Sequence, residues 1–165
     1  MPKTQLSIVP PTPPEPSLDD FEPIFLSTPL ALELYWPQTA AILSRCIDEA
    51  MNGEMTLDDI YEGVRDGHMY ALVAKNDEGE LPQVAFAMIL ELTAYPQFAL
   101  MNITAIGGRG MGLFKSRFWK HFCSWVYMSG VRTTQVFVSP AMTRMLRPYG
   151  FTKVYDVLRL DLTEM

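Results

Sequence analysis

Ile106-Gly-Gly-Arg-Gly-Met-Gly-Leu113 holds four of the chain's ten glycines in eight residues, and the reading of the fold turns on it. Before it, Phe98 to Ile106 has the branched and apolar content of a strand. After it, Phe114, Phe118, Phe122, Trp125 and Val126 recur at helical spacing. A strand that runs into a glycine turn and then opens a helix suits an anion. Glycine lets backbone approach closely, and the free N–H groups and dipole of a helix start favour negative charge. Neither common nucleotide motif fits. A P-loop needs Gly-x4-Gly-Lys-Ser/Thr, and Lys115-Ser116 stands at the wrong distance. A dinucleotide site needs an acid about 20 residues further on, and this region has none.

Charge supports the same reading. Between Leu92 and Tyr155 there is no Asp or Glu, yet eight of the thirteen Lys and Arg lie there and all nineteen acids lie outside. With a net charge of −6, a compact polyanion is favoured over a long one such as duplex nucleic acid, which the global charge would repel. The structural alternative is that the basic half neutralises the acidic half within the fold.

The flanking elements set the fold class. Phe21 to Ser27 reads as a short strand, and Pro37 suits the first turn of a helix running to about Met51. Thr56-Leu-Asp-Asp59 begins a second helix with a capping box and a Leu57, Ile60, Val64 stripe, ended by Gly67. Met69 to Lys75 and Val84 to Thr93 form a hairpin about the turn Asn76 to Gly79, and Tyr95-Pro96 breaks its second strand. Thr133 to Val138 is a strand, Pro140 to Leu146 a short helix and Lys153 to Leu162 a closing strand. The order β-α-α-β-β-β-α-β-α-β predicts an α/β fold with a mixed sheet and helices on both faces.

One domain is expected at 165 residues, over residues 21–165. Residues 1–20, with Pro10-Pro-Thr-Pro-Pro-Glu-Pro16, read as an extended proline-rich arm that offers a phage or host protein partner a ligand, or is passive. No apolar run reaches the about 18 residues that span a bilayer, and the N-terminus lacks a signal-like core. A cytoplasmic protein without membrane contact is the expectation. Cys46 and Cys123 match no ligand spacing and read as buried, reduced thiols. His68 and His121 fit no metal pattern, so no metal is expected.

Taken together, the glycine turn, this element order and four short motifs resemble the GNAT superfamily of acetyl-CoA-dependent N-acetyltransferases. The motifs are Trp36 in the first helix, Tyr95-Pro96 after the third strand, Gly107-Gly108 at the end of the fourth and Gly150-Phe151 near the C-terminus. In that order they look most like the small GNAT-like proteins of tailed bacteriophages, over about Phe21 to Leu162. The resemblance implies acetyl-CoA as cofactor. Its pyrophosphate would lie on the backbone of Arg109, Gly110, Met111 and Gly112, with Lys115 or Lys120 on its other phosphates. The pantetheine arm would lie in a splay between the strand ending at Ile106 and the strand ending at Val138. Gly107 stands where the family's loop has Gln or Arg, and Leu146 stands where many members carry a tyrosine acid.

Transfer to an amine needs a base, donors for the thioester carbonyl and an acid for the thiolate. Glu91 is the candidate base, because the resemblance places one in the third strand; its structural alternative is the polar position of an alternating strand. Tyr149 is the candidate acid or a packing residue, and Ser139 a hydrogen-bond donor to CoA or a helix start. Two functions follow. One is an N-acetyltransferase acting on an amine-bearing small molecule or protein. The other is a catalytically inactive GNAT-fold structural or interaction protein, inside a virion in one form. A nucleic-acid module is disfavoured by a pI near 4.8 and by the lack of aromatics interleaved with the basic residues.

Overall fold

The structure is a computed structural model that describes residues 18–50, 53–109 and 118–163. Most of the proline-rich arm, and Gly110, Met111, Gly112, Phe114 and Lys115 of the loop region, lie outside the described residues. Five strands form one sheet in chain order: β1 (Glu22–Phe25), β2 (Tyr70–Asn76), β3 (Gln83–Ala94), β4 (Ala99–Gly108) and β5 (Thr133–Val136). The first three pairings are antiparallel and β4–β5 is parallel, so the sheet is mixed, as the element order implies.

Both faces are covered. Helix α1 (Pro29–Ala50) and helix α2 (Leu57–Arg65) bury Leu32, Tyr35, Leu43, Ile60 and Val64 against Val73, Ala87 and Ile89. On the other face, helix α3 (Trp119–Met128) buries Phe122 and Val126 against Leu72, Met88, Leu90 and Met101. Covering on both sides explains why β3 is buried without a break from Val84 to Leu90 instead of alternating. Past Leu90 the pattern reverts to alternation, with Glu91 half-buried and Leu92 exposed.

Most elements follow the sequence. The Thr56 box closes reciprocally: the Asp59 N–H donates to Thr56 Oγ1 (3.2 Å) and the Thr56 N–H donates to Asp59 Oδ2 (2.8 Å). Helix α4 occupies Pro140–Leu146, as read. Three readings are corrected. Helix α1 starts at Pro29 rather than Pro37, because Pro29 takes the first helical position and Thr28 Oγ1 accepts from the Ala31 N–H (3.1 Å). Pro37 therefore stands inside the helix, where it removes the bond to the Glu33 carbonyl. Strand β5 stops at Val136, two residues early, with Phe137 65% exposed. Residues 153–162 form no strand: they are exposed and pair with no edge among the described residues.

The four short motifs all find structural work. Trp36 packs on Tyr61 (5.2 Å between centroids) and joins α1 to α2. The Tyr95 N–H donates to Phe98 O (2.8 Å) in the β3–β4 turn. Gly150, at φ 95°, ends a 3-10 turn over Arg147–Tyr149 in the left-handed conformation that glycine takes at least cost, and Phe151 then packs on Trp119. Gly107 and Gly108 end β4.

Candidate functional site at the beta4–beta5 splay

Parallel strands β4 and β5 pair over only four residues, from Leu100 with Thr133 to Ile103 with Val136. Beyond that step β4 continues from Thr104 to Gly108 with no partner in β5. The β4–β5 ladder therefore ends at Ile103 and Val136, the step at which the splay of the sequence reading would begin. At its apex β4 is irregular. Ile89 pairs with Ala105 and Leu90 with Ile103, so Thr104 has no partner in β3 either. It is the extra residue of a β-bulge, a device that takes a peptide unit out of the ladder and re-aims it.

A polar row crosses the sheet one step before the apex. Glu91 of β3 faces Asn102 of β4, which faces Gln135 of β5. Gln135 Nε2 donates to Asn102 Oδ1 (2.6 Å), and Asn102 Nδ2 donates to Thr93 Oγ1. This network fixes both sides of the Asn102 amide and leaves Glu91 as the ionisable member. Its carboxylate makes no hydrogen bond or ion pair with a described residue. Asn102, Gln135, Thr93 and the Thr104 bulge all escaped the sequence reading. Asn102 and Thr104 do interrupt an otherwise apolar strand, but a bulge is a property of register and appears only when the partner strand is known.

Tyr149 stands elsewhere. It packs edge-on to Trp119 (5.3 Å, 70°) on the α3 face, whereas strand alternation puts Glu91 on the Ile89 face. The two candidates are therefore on opposite sides of the sheet. Burial pushes the Tyr149 phenol above its ordinary pKa, so it remains protonated at neutral pH. Leu146, at the family's tyrosine position, is buried in the core.

Ser139 caps α4: its Oγ accepts from the Met142 N–H (3.4 Å) and its carbonyl from the Thr143 N–H (3.0 Å). It follows Phe137 and Val138 past the end of β5, where the splay opens. Lys120 is exposed on α3. Ile106 is half-buried, pairs with Met88 and lines a cleft of about 510 Å³ between α1 and the ends of β3 and β4.

The start of the glycine loop is not built as an anion cradle. A Cβ on Gly108 would lie inside 3.0 Å of the Ala85 carbonyl oxygen, and one on Gly107 would be 3.3 Å from Ile42 Cγ2. These two glycines let β4 close onto β3 and α1. The Arg109 N–H donates to Ala85 O (2.7 Å), and its guanidinium lies 5.9 Å from the centre of the Phe21 ring. That corrects the reading of Arg109 as a backbone donor to phosphate, because its N–H belongs to the sheet. Among the described residues no group of three His, Cys, Asp or Glu is placed to hold a metal, and no helix is long and apolar enough to cross a membrane.

No protein-family model matches the chain, and no curated protein matches it in sequence. Solved structures do match in shape. An acetyltransferase from Clostridium acetobutylicum, solved with acetyl-CoA, superposes at TM-score 0.63 with 14% identity, covering 88% of this chain and 98% of that one. A Trypanosoma brucei acetyltransferase gives 0.62 at 17%, with 87% and 100% covered. An aminoglycoside acetyltransferase from an uncultured soil metagenomic sample, solved with sisomicin, gives 0.64 at 11%, with 88% and 97% covered. The fold is that of the GNAT acetyltransferases.

Proposed function

We propose that this chain is an acyl-CoA-dependent N-acetyltransferase that acetylates an amine on a small molecule or a protein. One observation carries the reading: half-buried Glu91 stands in a polar row one step before the β4–β5 ladder ends. The residues there fit an acetyl-CoA thioester arm. Thr104, Ala105 and Ile106 offer backbone no longer engaged by β5, and Ser139 offers a hydroxyl where the splay opens. Phosphate binding falls to the residues after Arg109, with Gly110, Met111, Gly112 and Lys115 as the candidates. Bound acetyl-CoA would supply an acetyl group activated as a thioester. Glu91 would take the proton that the acceptor ammonium must lose before its nitrogen can attack. Tyr149, held as the neutral phenol, is the candidate donor of a proton to the leaving sulfur.

The test has two stages. Calorimetric titration with acetyl-CoA measures binding, and a thiol-release assay over a panel of amines measures transfer. Glu91→Gln should retain acetyl-CoA affinity and lose about 10²–10⁴-fold in turnover, the usual share of a general base. That loss should shrink at high pH, where more of the acceptor is already neutral.

A second reading, an inactive GNAT-fold structural or interaction protein, is favoured by one observation. Leu146 is 4% exposed, so the core occupies the position where an acid would be expected. On that reading acetyl-CoA does not bind and no amine is acetylated. The phage-encoded subtype, and a place inside a virion, rest on the order of Trp36, Tyr95-Pro96, Gly107-Gly108 and Gly150-Phe151.

A further inference from the structure

Asp20, Glu22, Asp77 and Glu78 line a cleft of about 380 Å³ together with Phe21 and Asn76, where the start of β1 meets the turn after β2. Asn76 pairs with Gln83, at the opposite end of β3 from Glu91, so this cleft is separate from the polar row. A cluster of carboxylates on an acidic chain implies, by itself, only a solvated surface. Two of these four are answered within the fold. Lys75 Nζ reaches Glu22 Oε1 (2.6 Å) and Asp77 Oδ2, and the Tyr35 hydroxyl donates to Asp77 Oδ1 (2.7 Å). The carboxylates of Asp20 and Glu78 are exposed and make no hydrogen bond or ion pair with a described residue.

A buried donor stands among them. Asn76 is 4% exposed, and its Nδ2 has no hydrogen-bond partner among the described residues. An orphaned buried donor is rare in native proteins and costly. The amide does not relieve this by turning over, because its Oδ1 accepts from the Glu78 N–H (2.8 Å) and so holds the turn. An amide nitrogen has only protons to offer, so what Asn76 lacks is an acceptor. The carboxylates around it would repel an anionic one. A metal ion does not suit the place either. Among the described residues no group of three His, Cys, Asp or Glu is placed to hold one, and hard cations take oxygen ligands rather than amide nitrogen.

We propose that this cleft binds an organic ammonium that carries an uncharged oxygen beside its cationic nitrogen. The ammonium lies against Asp20 and Glu78, and the oxygen, a hydroxyl or a carbonyl, accepts from Asn76 Nδ2. Amino sugars and amino alcohols have this arrangement, and so does an amino acid amide such as the first residue of a peptide. The inference does not depend on catalysis at Glu91.

NMR titration of the isotope-labelled full chain tests it, because the Asn76 side-chain amide gives its own signals. The probes separate the contributions: glycinamide carries ammonium and carbonyl, glucosamine ammonium and hydroxyl, ethylamine the ammonium alone and acetamide the oxygen alone. Glycinamide or glucosamine should shift the Asn76 side-chain signals and the Asp77 and Glu78 backbone amides. The tighter of the two should bind about 10-fold better than ethylamine or acetamide, the scale of one hydrogen bond that relieves a buried donor. Which of the two it is separates a peptide end from an amino sugar. Asp20→Asn combined with Glu78→Gln should weaken binding several-fold at low salt without disturbing the fold, since both side chains are exposed. Asn76→Asp keeps an acceptor for the Glu78 N–H and removes the donor, so it should erase the preference over ethylamine. If that variant does not fold, the preference among probes in the native chain decides. Shifts that appear only around Glu91, or none at Asn76, overturn the proposal. So does equal affinity for ethylamine and both oxygen-bearing amines, and so does unchanged affinity in the Asp20 and Glu78 double variant.

Discussion

Gly108→Ala is the sharpest test of how the end of β4 is built. Gly108 has φ +118°, a conformation that costs an L-residue about 1–3 kcal/mol. The added Cβ would also lie 2.7 Å from Phe86 Cα and closer still to the Ala85 carbonyl oxygen. Both atoms are backbone of β3, and Ala85 O is already engaged by the Arg109 N–H. Nothing there can rotate aside, so two strands must move apart, at about 1–3 kcal/mol more by analogy with overpacked cores. The total is about 2–6 kcal/mol. For a domain of this size that lowers Tm by about 4–24 °C, at about 2–4 °C per kcal/mol. Gly150→Ala is the control. Its φ is similar at +95°, but its Cβ would meet nothing within 4 Å. Only the conformational cost remains, so about 1–3 kcal/mol is expected. Gly107→Ala completes the series, because its nearest neighbour is the Ile42 side chain, which can shift; a change within about 1 kcal/mol is expected. Urea melts followed by circular dichroism give all three values. If Gly108→Ala loses no more than Gly150→Ala, the close approach of β4 to β3 is absent.

Phe122 is 0% exposed and lies at the centre of the α3 face, so Phe122→Ala should cost about 3–5 kcal/mol in the same melts. A loss below about 1 kcal/mol would mean that α3 does not pack as described. Asp77 sets an acid limb. The Lys75 ammonium, then the Tyr35 hydroxyl (2.7 Å), hold its carboxyl below the ordinary value, although its own desolvation opposes them. A folded pKa below the unfolded one gives stability that is present above about pH 4 and lost as pH falls through the folded pKa. The Tm advantage of the native chain over Asp77→Asn should therefore shrink below about pH 4, and a gap that is flat from pH 6 to 2 would dismiss the triad.

What was legible in the sequence was local. The Thr56 box, the Pro140 helix start and the turn at Asn76 each depend on residues within four positions of one another, and each appears where it was read. Pro37 shows the limit of that logic. Its chemistry suits a first turn, but Pro29 suits it too, and α1 packing through Leu32 and Tyr35 decided between them. Glu91 was singled out because the resemblance places a base in the third strand, where it is a carboxylate among Ile89, Leu90 and Leu92. Its neighbours Asn102 and Gln135 were missed, because they become neighbours only through strand register across three strands. Register also creates the Thr104 bulge, and no single strand's sequence contains it.

The glycine loop gives the clearest separation of form from chemistry. The phosphate cradle was read at Arg109 to Gly112; of these only Arg109 is described, and its N–H is engaged by Ala85 O, while Gly107 and Gly108 before it are held against α1 and β3. This narrows the enzymatic reading without weakening the fold. A glycine forced by backbone contact is needed by any protein with this sheet, whether or not it catalyses anything. The features that a sheet alone does not need are different ones: a stretch of β4 beyond Ile103 that pairs with β3 but not with β5, and a half-buried Glu91 with no hydrogen bond or ion pair to a described residue. Both leave a backbone edge or a carboxylate open to a ligand, and an acyl thioester with an incoming amine would use them. The case for catalysis therefore rests on Glu91 and the end of the β4–β5 ladder rather than on Gly107 and Gly108.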